Sequence, residues 1–229
     1  MLPKTTAQPD SLTLVAPAPW QLKGEGYVVV AWLPATGHPA TKSSWLRPHG
    51  SIRLLIFAHY THSDAGPYDE LLHIPHLSHG AVQGYPSIDK IYVSTMDSVV
   101  NGQQNWGIPK QLAAFDYHKT KGQSACDQIQ VKTPDQQPIA RISIQPGRIR
   151  FPLNTAFVPA RLRTLVQDWQ GKRFYTAPQA SGQAGLARVR DWWFDPAYFP
   201  DLGSATILTA IKINRFHMTF PVAKITQLD

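Results

Sequence analysis

Prolines and glycines divide this chain into short segments and so limit the elements that it can form. Twenty prolines and fifteen glycines are spread over the 229 residues. Proline lacks a backbone N–H and has a fixed φ, so it interrupts helices and the interior strands of sheets. The apolar runs between these breaks, such as residues 27–33 and 52–60, are short and rich in β-branched and aromatic residues, which is typical of buried strands. We therefore expect a mainly β protein of the α+β class.

Further short runs bring the expected number of strands to about a dozen. They lie at residues 70–74, 88–94, 113–119, 128–132, 186–194 and 207–218. Short strands that are often separated by turns indicate an antiparallel sheet that is curled or closed into a barrel. A short helix is expected from Ser98 towards Asn105, capped by Thr95 or Asp97.

Three other segments carry turn signals. Pro146 and Gly147 separate two apolar runs, residues 140–144 and 148–151, and this predicts a hairpin. The glycines of residues 181–185 predict a turn.

The third turn signal, Gln170-Gly171, predicts a hairpin between residues 163–169 and 172–176. The apolar spacing over residues 159–169 is also compatible with a helix, so both alternatives stay open.

The length and composition fit one domain with a sizeable core. Hydrophobic residues make up 43% of the chain, and no internal repeat or long linker divides it. We expect residues 20–229 to form a single domain, preceded by an extended arm over residues 1–19. The net charge of +7 favours an anionic small-molecule partner. Nucleic acid is not expected as a partner, because the basic residues of the second half alternate with apolar ones instead of forming a block.

The cellular setting is predicted from three features. A single cysteine, Cys126, excludes an internal disulfide and fits a reducing compartment. The N-terminal residues lack the charged, apolar and small-residue order of a signal peptide. The apolar runs are too short to span a bilayer. We therefore expect a cytoplasmic protein without a membrane partner.

One lysine, Lys110, stands in an unusual local setting. Pro109 fixes its own φ and keeps Ile108 out of the helical region, so Lys110 follows a rigid extended turn. Trp106 and Ile108 offer the amine an apolar environment, which lowers the pKa of a lysine because burial penalises its charged form. A neutral amine attacks a carbonyl and forms an imine. The sequence therefore predicts a Schiff-base lysine.

This turn, together with a second segment, resembles the acetoacetate decarboxylase family. In that family the imine-forming lysine lies in a Gly-x-Pro-Lys or aromatic-Pro-Lys-Lys element, which residues 107–110 match. Residues 66–70 match the family's Gly-x-Tyr-x-Glu strand, whose glutamate faces the lysine. The resemblance implies a cone-like antiparallel β-barrel with a few short helices, catalysis by Lys110 and Glu70 with no cofactor, and a homo-oligomer.

Three charged positions of the family differ here. Gln111 stands where the family enzyme has a second lysine, whose charge lowers the pKa of the first. Glu25 stands in place of an arginine on an early strand, with Lys23 as the nearest cation, and Leu55 stands in place of a second buried glutamate. We therefore expect a divergent member whose substrate is not acetoacetate.

The residues expected to contact a ligand come from the same segments. Strand alternation places Tyr68 and Glu70 on one face and Asp69 on the other. Two further aromatic residues, Trp32 and Phe216, are candidates for the cavity wall or the core. The predicted substrate-binding residues are Tyr68, Trp106, Gln111 and Phe57.

The histidines do not predict a metal site. His73, His76 and His79 recur every three residues, but Pro75 breaks any helix between them. An odd spacing on a strand points side chains to opposite faces, whereas metal ligands must converge on one ion. No metal is therefore expected.

Two functions from different classes remain open. The first is a cofactor-independent Schiff-base lyase, similar to a decarboxylase, that acts on a small oxo-acid through Lys110. The alternative is a non-catalytic barrel of the same fold that binds a small carboxylated or carbonyl ligand, with Lys110 as a salt-bridge partner. The pKa of Lys110 and its ability to form an imine separate the two functions.

Overall fold

The computed structural model describes residues 14–34, 50–76, 81–120, 122 and 125–228, which are mainly β as predicted. The first half of the described chain forms β1 (Trp20–Pro34), β2 (Gly50–His62), β3 (Tyr68–Ile74), β4 (Lys90–Val93), α1 (Met96–Trp106), β5 (Gln111–Leu112) and β6 (Ala114–His118). The second half forms β7 (Asp127–Lys132), β8 (Pro138–Asn154), α2 (Ala160–Arg163), β9 (Leu165–Trp169), β10 (Lys172–Thr176), β11 (Gln179–Phe194), β12 (Thr206–Phe220) and β13 (Lys224–Gln227).

Ten of these strands form one sheet, in the order β5-β4-β3-β2-β1-β12-β11-β8-β7-β6, and β13-β10-β9 form a second. In the large sheet β4 and β5 pair in parallel, and the other neighbours pair antiparallel. The sheet curls until its far edge meets its centre. The ring centroids of Phe57 on β2 and Tyr117 on β6 are 4.8 Å apart, and the Tyr27 hydroxyl donates to Asp127 on β7 at 2.6 Å. The predicted curled, nearly closed antiparallel sheet is confirmed.

Two apolar clusters lie on opposite faces of this sheet. Leu71 of β3 belongs to the first cluster, with Phe57 of β2 and Ile142 of β8. Its neighbour Leu72 belongs to the second cluster, with Trp106 of α1. Successive side chains of a strand point to opposite faces, so β3 contributes to both clusters. The second cluster is the one that lies beneath α1.

The hairpin predicted at Pro146-Gly147 is wrong. β8 continues through both residues from Pro138 to Asn154 and pairs with β11 along its length. A register shift opposite them, between Gly185 and Ala187 of β11, marks a bulge. A bulge accommodates a proline because it interrupts the ladder of hydrogen bonds in which proline cannot donate.

The turn predicted at residues 181–185 is also wrong, because this segment lies inside β11 between two partner strands. A Cβ at Gly182 would lie 2.0 Å from the carbonyl oxygen of Arg215 on β12. The glycine therefore permits a close approach of two strands rather than a change of chain direction.

The remaining local predictions agree with the structure. α1 begins after Thr95, whose hydroxyl accepts the Ser98 N–H at 3.4 Å. β9 and β10 form the second hairpin, with Gln170 and Gly171 at positive φ, as a tight hairpin turn requires. The alternative prediction of a helix over residues 159–169 holds only for the four residues of α2. Among the described residues, no helix is both long and apolar enough to cross a membrane.

The predicted N-terminal arm is described from residue 14 onwards, and this part lies against α1. The Ala16 N–H donates to the Asn101 side chain at 2.7 Å, and Asn105 donates to the Ala16 carbonyl at 2.8 Å. Residues 1–13, 35–49 and His79 lie outside the described residues.

The continuous β8 strand can be tested by two substitutions of the same residue type. Ile142 is 2% exposed and Ile149 is 73% exposed on the same strand. We expect Ile142→Ala to lower the free energy of unfolding by about 2–5 kcal/mol, because it leaves a cavity. Ile149→Ala should change it by less than about 0.5 kcal/mol. Urea denaturation measures both, and equal losses would contradict this placement of the strand.

Candidate functional site

The turn that carries Lys110 is fixed by the end of α1. Gly107 adopts φ 63°, and its N–H bonds to the carbonyl of Gln103. A left-handed residue commonly ends a helix in this way, and glycine adopts that conformation without strain. The Gln103 side chain then donates to the Lys110 carbonyl at 3.0 Å. The backbone of Lys110 is therefore held against the helix that precedes it.

The Lys110 amine is buried and surrounded by polar groups from two elements. The residue is 5% exposed, and its Nζ lies 3.0 Å from Oε2 of Glu70. The amine also donates to Ser98 Oγ at 2.9 Å and to the Tyr68 hydroxyl at 3.3 Å. It lies 5.8 Å from the ring centroid of Trp20. The structure thus brings together Lys110, Glu70 and Tyr68, as the two sequence segments predicted.

Glu70 is held by β3 and by a tyrosine of the neighbouring strand. Its Oε1 accepts the Tyr60 hydroxyl at 3.1 Å. The intervening Asp69 points to the other face, where it lies 2.7 Å from the His59 ring. This alternation is the one expected for a strand, and it directs one carboxylate of the motif to the lysine.

The two tyrosines of the site, Tyr60 and Tyr68, are un-ionised at neutral pH. Burial raises the pKa of Tyr68 to about 12, although the charge of Lys110 acts in the opposite direction. Burial, together with the charge of Glu70, raises the pKa of Tyr60 well above its ordinary value. Both hydroxyls therefore keep their protons at neutral pH.

The pKa of Lys110 departs from the sequence expectation. Burial of the amine lowers its pKa, but the negative charge of Glu70 and the contact with Tyr68 outweigh burial, so the net direction is upward. The expected lowering is wrong because it follows from the apolar neighbours alone and leaves out a carboxylate 3.0 Å away. In the resting protein Lys110 is a protonated amine in an ion pair.

The ion pair opens into an apolar cavity of about 330 Å³ on the second-cluster face of the sheet. Side chains from both sheets, α1 and α2 line it, and most of them are aliphatic or aromatic. The charged residues of the lining are Glu70, Lys110 and Arg163. The Nε of Arg163 is buried and has no hydrogen-bond partner in the described chain.

The predicted ligand-contacting residues separate into two groups. Tyr68, Trp106 and Phe216 line the cavity. Phe57 also adjoins it, but its side chain packs in the first cluster, on the opposite face of the sheet. Gln111 is exposed and is absent from the lining, because it follows Lys110 on an extended strand and points to the opposite side. Trp32 also lies outside this cavity.

The residues that replace the family's charges do not contact Lys110. Leu55 is packed in the first cluster, on the opposite face of the sheet. Glu25 lies 2.8 Å from Lys119 and 3.7 Å from Lys212. In the described chain Glu70 is therefore the carboxylate that neutralises Lys110.

Sequence reasoning missed two residues of α1 that shape the site. Ser98 is fully buried and accepts a hydrogen bond from the amine. A Cβ at Gly102 would lie 2.6 Å from Cδ of Lys110. The two residues are four positions apart and so share one face of the helix. Two small residues four positions apart, on a predicted helix that leads into a reactive lysine, are the sequence signal that could have identified them.

Two histidines, His59 and His73, pair with single carboxylates. His73 lies 2.7 Å from Asp89, as His59 does from Asp69. No group of three or more metal-ligating side chains occurs among the described residues, which do not include His79.

No family model and no curated protein sequence matches the chain. Its fold is similar to that of an acetoacetate decarboxylase from Legionella pneumophila, with a TM-score of 0.60 at 15% identity over 96% of this chain and 93% of that chain. An acetoacetate decarboxylase-like enzyme from Sphingomonas wittichii gives a TM-score of 0.59 at 11% identity over 98% of each chain. A further acetoacetate decarboxylase structure gives 0.63 at 12% identity over 98% and 96%. The predicted acetoacetate decarboxylase-like fold is therefore confirmed.

The packing of Gly102 on Lys110 gives one prediction. Gly102→Ala places a methyl group against the lysine side chain and should move its amine out of line with a carbonyl bound in the cavity. We expect an approximately 100-fold slower reaction of Lys110 with hexanal, trapped by cyanoborohydride, because a displacement of about 1 Å has effects of this size. Alanine is itself favourable in a helix, so the protein should stay folded. Gln104→Ala, at an exposed position of α1, is the control, and equal rates in the two variants would contradict the packing.

The ion pair gives a second prediction, for Glu70→Gln. Without the carboxylate, burial dominates and the pKa of Lys110 should fall below its ordinary value. The trapping rate at pH 7 should rise about tenfold for each unit by which the pKa falls, and the pH profile should move to lower pH. Glu25→Gln, beside Lys212, is the matched control. An unchanged profile in Glu70→Gln would show that Glu70 does not set the protonation of Lys110.

The same ion pair affects stability. The folded pKa of Lys110 is raised, so the pair stabilises the protein below the ordinary lysine pKa. This contribution is lost as the pH rises through the raised value.

Proposed function

We propose that this protein is a Schiff-base lyase, similar to a decarboxylase, that acts on a small oxo-acid other than acetoacetate through Lys110. The observation that supports this proposal is a buried amine 3.0 Å from a carboxylate, at the wall of an apolar cavity. The proposal needs no cofactor, because the protonated imine is itself the group that accepts electrons.

The first step is a proton transfer within the ion pair. The ammonium of Lys110 gives a proton to Glu70, and this leaves a neutral amine and a carboxylic acid. The raised pKa of Lys110 opposes this transfer in the resting site. A bound apolar substrate favours it, since removing water from around two charges costs several kcal/mol per ion.

The amine then attacks the carbonyl carbon of the substrate, and water leaves as the imine forms. In a β-oxo acid, the bond between the carboxylate and the α-carbon breaks next. Carbon dioxide leaves, the electron pair of the broken bond forms the carbon–carbon double bond of an enamine, and the π pair of the protonated imine moves to its nitrogen. A proton returns to the α-carbon, and water hydrolyses the imine to release the ketone and restore the amine.

The neighbouring polar groups have separate roles in this scheme. Glu70 is the general acid and base, because it is the carboxylate in contact with the amine. Tyr60 positions Glu70 through its hydroxyl. Ser98 and Tyr68 orient the amine, which would otherwise rotate freely about a long side chain.

The lining of the cavity argues against acetoacetate as the substrate. Acetoacetate is small and charged at one end, whereas aliphatic and aromatic residues cover most of the cavity wall. Apolar walls favour a ligand with an apolar body of matching size. In addition, Gln111, Glu25 and Leu55 replace three charged residues that the family has at these positions.

Reductive trapping tests the proposal. We expect a panel of β-oxo acids, 2-oxo acids and aldehydes, treated with borohydride, to give an adduct that mass spectrometry maps to Lys110. Lys110→Arg should abolish it, because arginine stays protonated and is not a nucleophile. Lys212→Arg, which changes a second lysine that is buried among the described residues, should retain it.

No adduct with any member of the panel, in a protein that is folded by circular dichroism, would favour the alternative function. In that case the barrel binds a small ligand without turnover, and Lys110 serves as a salt-bridge partner.

A further inference from the structure

The cavity has two ends, which the pairing of the surrounding strands defines. Glu70 and Ile74 both line it and are four residues apart on β3. A strand rises about 3.3 Å per residue, so the cavity extends about 13 Å along β3. Lys110 contacts Glu70 at one end. The other end lies where β3 finishes.

Arg163 lies at this second end. Its neighbours on both sides are anchored to the segment that leads into β4. Arg161 donates to the carbonyl of Gly84 at 3.1 Å, and the Val166 N–H donates to the carbonyl of Pro86 at 2.9 Å. Since Pro86 and Ile74 line the cavity as well, Arg163 and Lys110 face it from opposite ends.

The charge of Arg163 is not compensated. Among the described residues that line the cavity, Lys110 and Glu70 neutralise each other. Arg163 forms no ion pair with any described residue, and its Nε is buried without a hydrogen-bond acceptor. A guanidinium nitrogen in this condition loses its hydration without gaining a partner, which is unfavourable unless an anion binds it.

The same end of the cavity opens to solvent. Leu162 lines the cavity and is 48% exposed, and Arg163 follows it in α2. A charged group of a ligand is least costly to bind at such a mouth, where it keeps part of its hydration. The planar guanidinium suits a carboxylate, which it can bind through two parallel hydrogen bonds.

We propose that Arg163 binds a carboxylate at the mouth of the cavity, and that the ligand carries this carboxylate at the end of an apolar chain remote from its reacting carbonyl. The reaction of the ligand's carbonyl with Lys110 rests on the proposed imine function. The binding of the ligand's carboxylate does not rest on that function, because it depends on Arg163 alone.

The carboxylate site is tested first with ligands that contain no aldehyde or ketone and therefore cannot form an imine with Lys110. Isothermal titration calorimetry should show that the protein binds nonanoate about 10- to 100-fold more tightly than nonanol, the range expected for hydrogen bonds to a charged group. Arg163→Gln should remove this preference, and Arg163→Lys should keep part of it. Arg188→Gln, which removes an exposed arginine outside the cavity, should bind as the wild type does.

Two results would overturn the carboxylate site. One is nonanoate binding that is equally tight in the wild type and in Arg163→Gln. The other is no preference for nonanoate over nonanol in the wild type.

The full ligand is tested by trapping with azelaic semialdehyde, which has an aldehyde and a distal carboxylate, against nonanal, which lacks the carboxylate. We expect faster labelling of Lys110 by the semialdehyde, and equal labelling by both in Arg163→Gln. Equal labelling by both probes in the wild type would overturn the proposed ligand. Absence of any adduct, with nonanoate binding still dependent on Arg163, would overturn the imine function and leave the carboxylate site standing.

Discussion

The buried ion pair of Lys110 and Glu70 is the interaction on which the site depends. Removing water from two charges costs several kcal/mol per ion, and a buried pair is stable when further hydrogen bonds satisfy its remaining atoms. Ser98 and Tyr68 do so for the amine, and Tyr60 does so for the carboxylate. These groups come from α1, β2 and β3, so the helix must be docked on the sheet before the pair can form. The stability of the pair and the position of α1 are therefore linked.

This ion pair also separates the resting state of the site from its reactive state. The charge of Glu70 keeps Lys110 protonated, and a protonated amine does not attack a carbonyl. A neutral pair costs less than a charged pair where no water is present. An apolar ligand that fills the cavity would therefore favour the proton transfer that its own reaction requires. This coupling would limit the reactivity of the lysine when no ligand is bound.

The sequence predicts features that depend on adjacent residues better than features that depend on pairing between strands distant in the chain. The contact between Lys110 and Glu70 follows from two short motifs, and α1 follows from its cap and spacing. Proline and glycine signals failed at Pro146 and at Gly182, because Pro146 pairs with Ala187 of β11 and Gly182 has a partner strand on each side. Such partners decide whether a glycine ends a strand or permits a close approach. Arg163 was not identified as a site residue, since only the packing of α2 brings it to the cavity.

A second buried lysine shows why burial alone does not predict the protonation of Lys110. Lys212 is 5% exposed, as Lys110 is. Burial lowers the pKa of Lys212, and the carboxylates of Glu25 and Asp127 only partly oppose this. They lie 3.7 and 3.5 Å from its amine, whereas Glu70 lies 3.0 Å from that of Lys110. The charge of Lys119, which pairs with Glu25 at 2.8 Å, also lowers the pKa of Lys212, whereas the hydrogen bonds of Lys110 to Glu70 and Tyr68 raise its pKa. A ligand that weakens the contact between Glu70 and Lys110 would therefore move Lys110 towards the neutral, nucleophilic form.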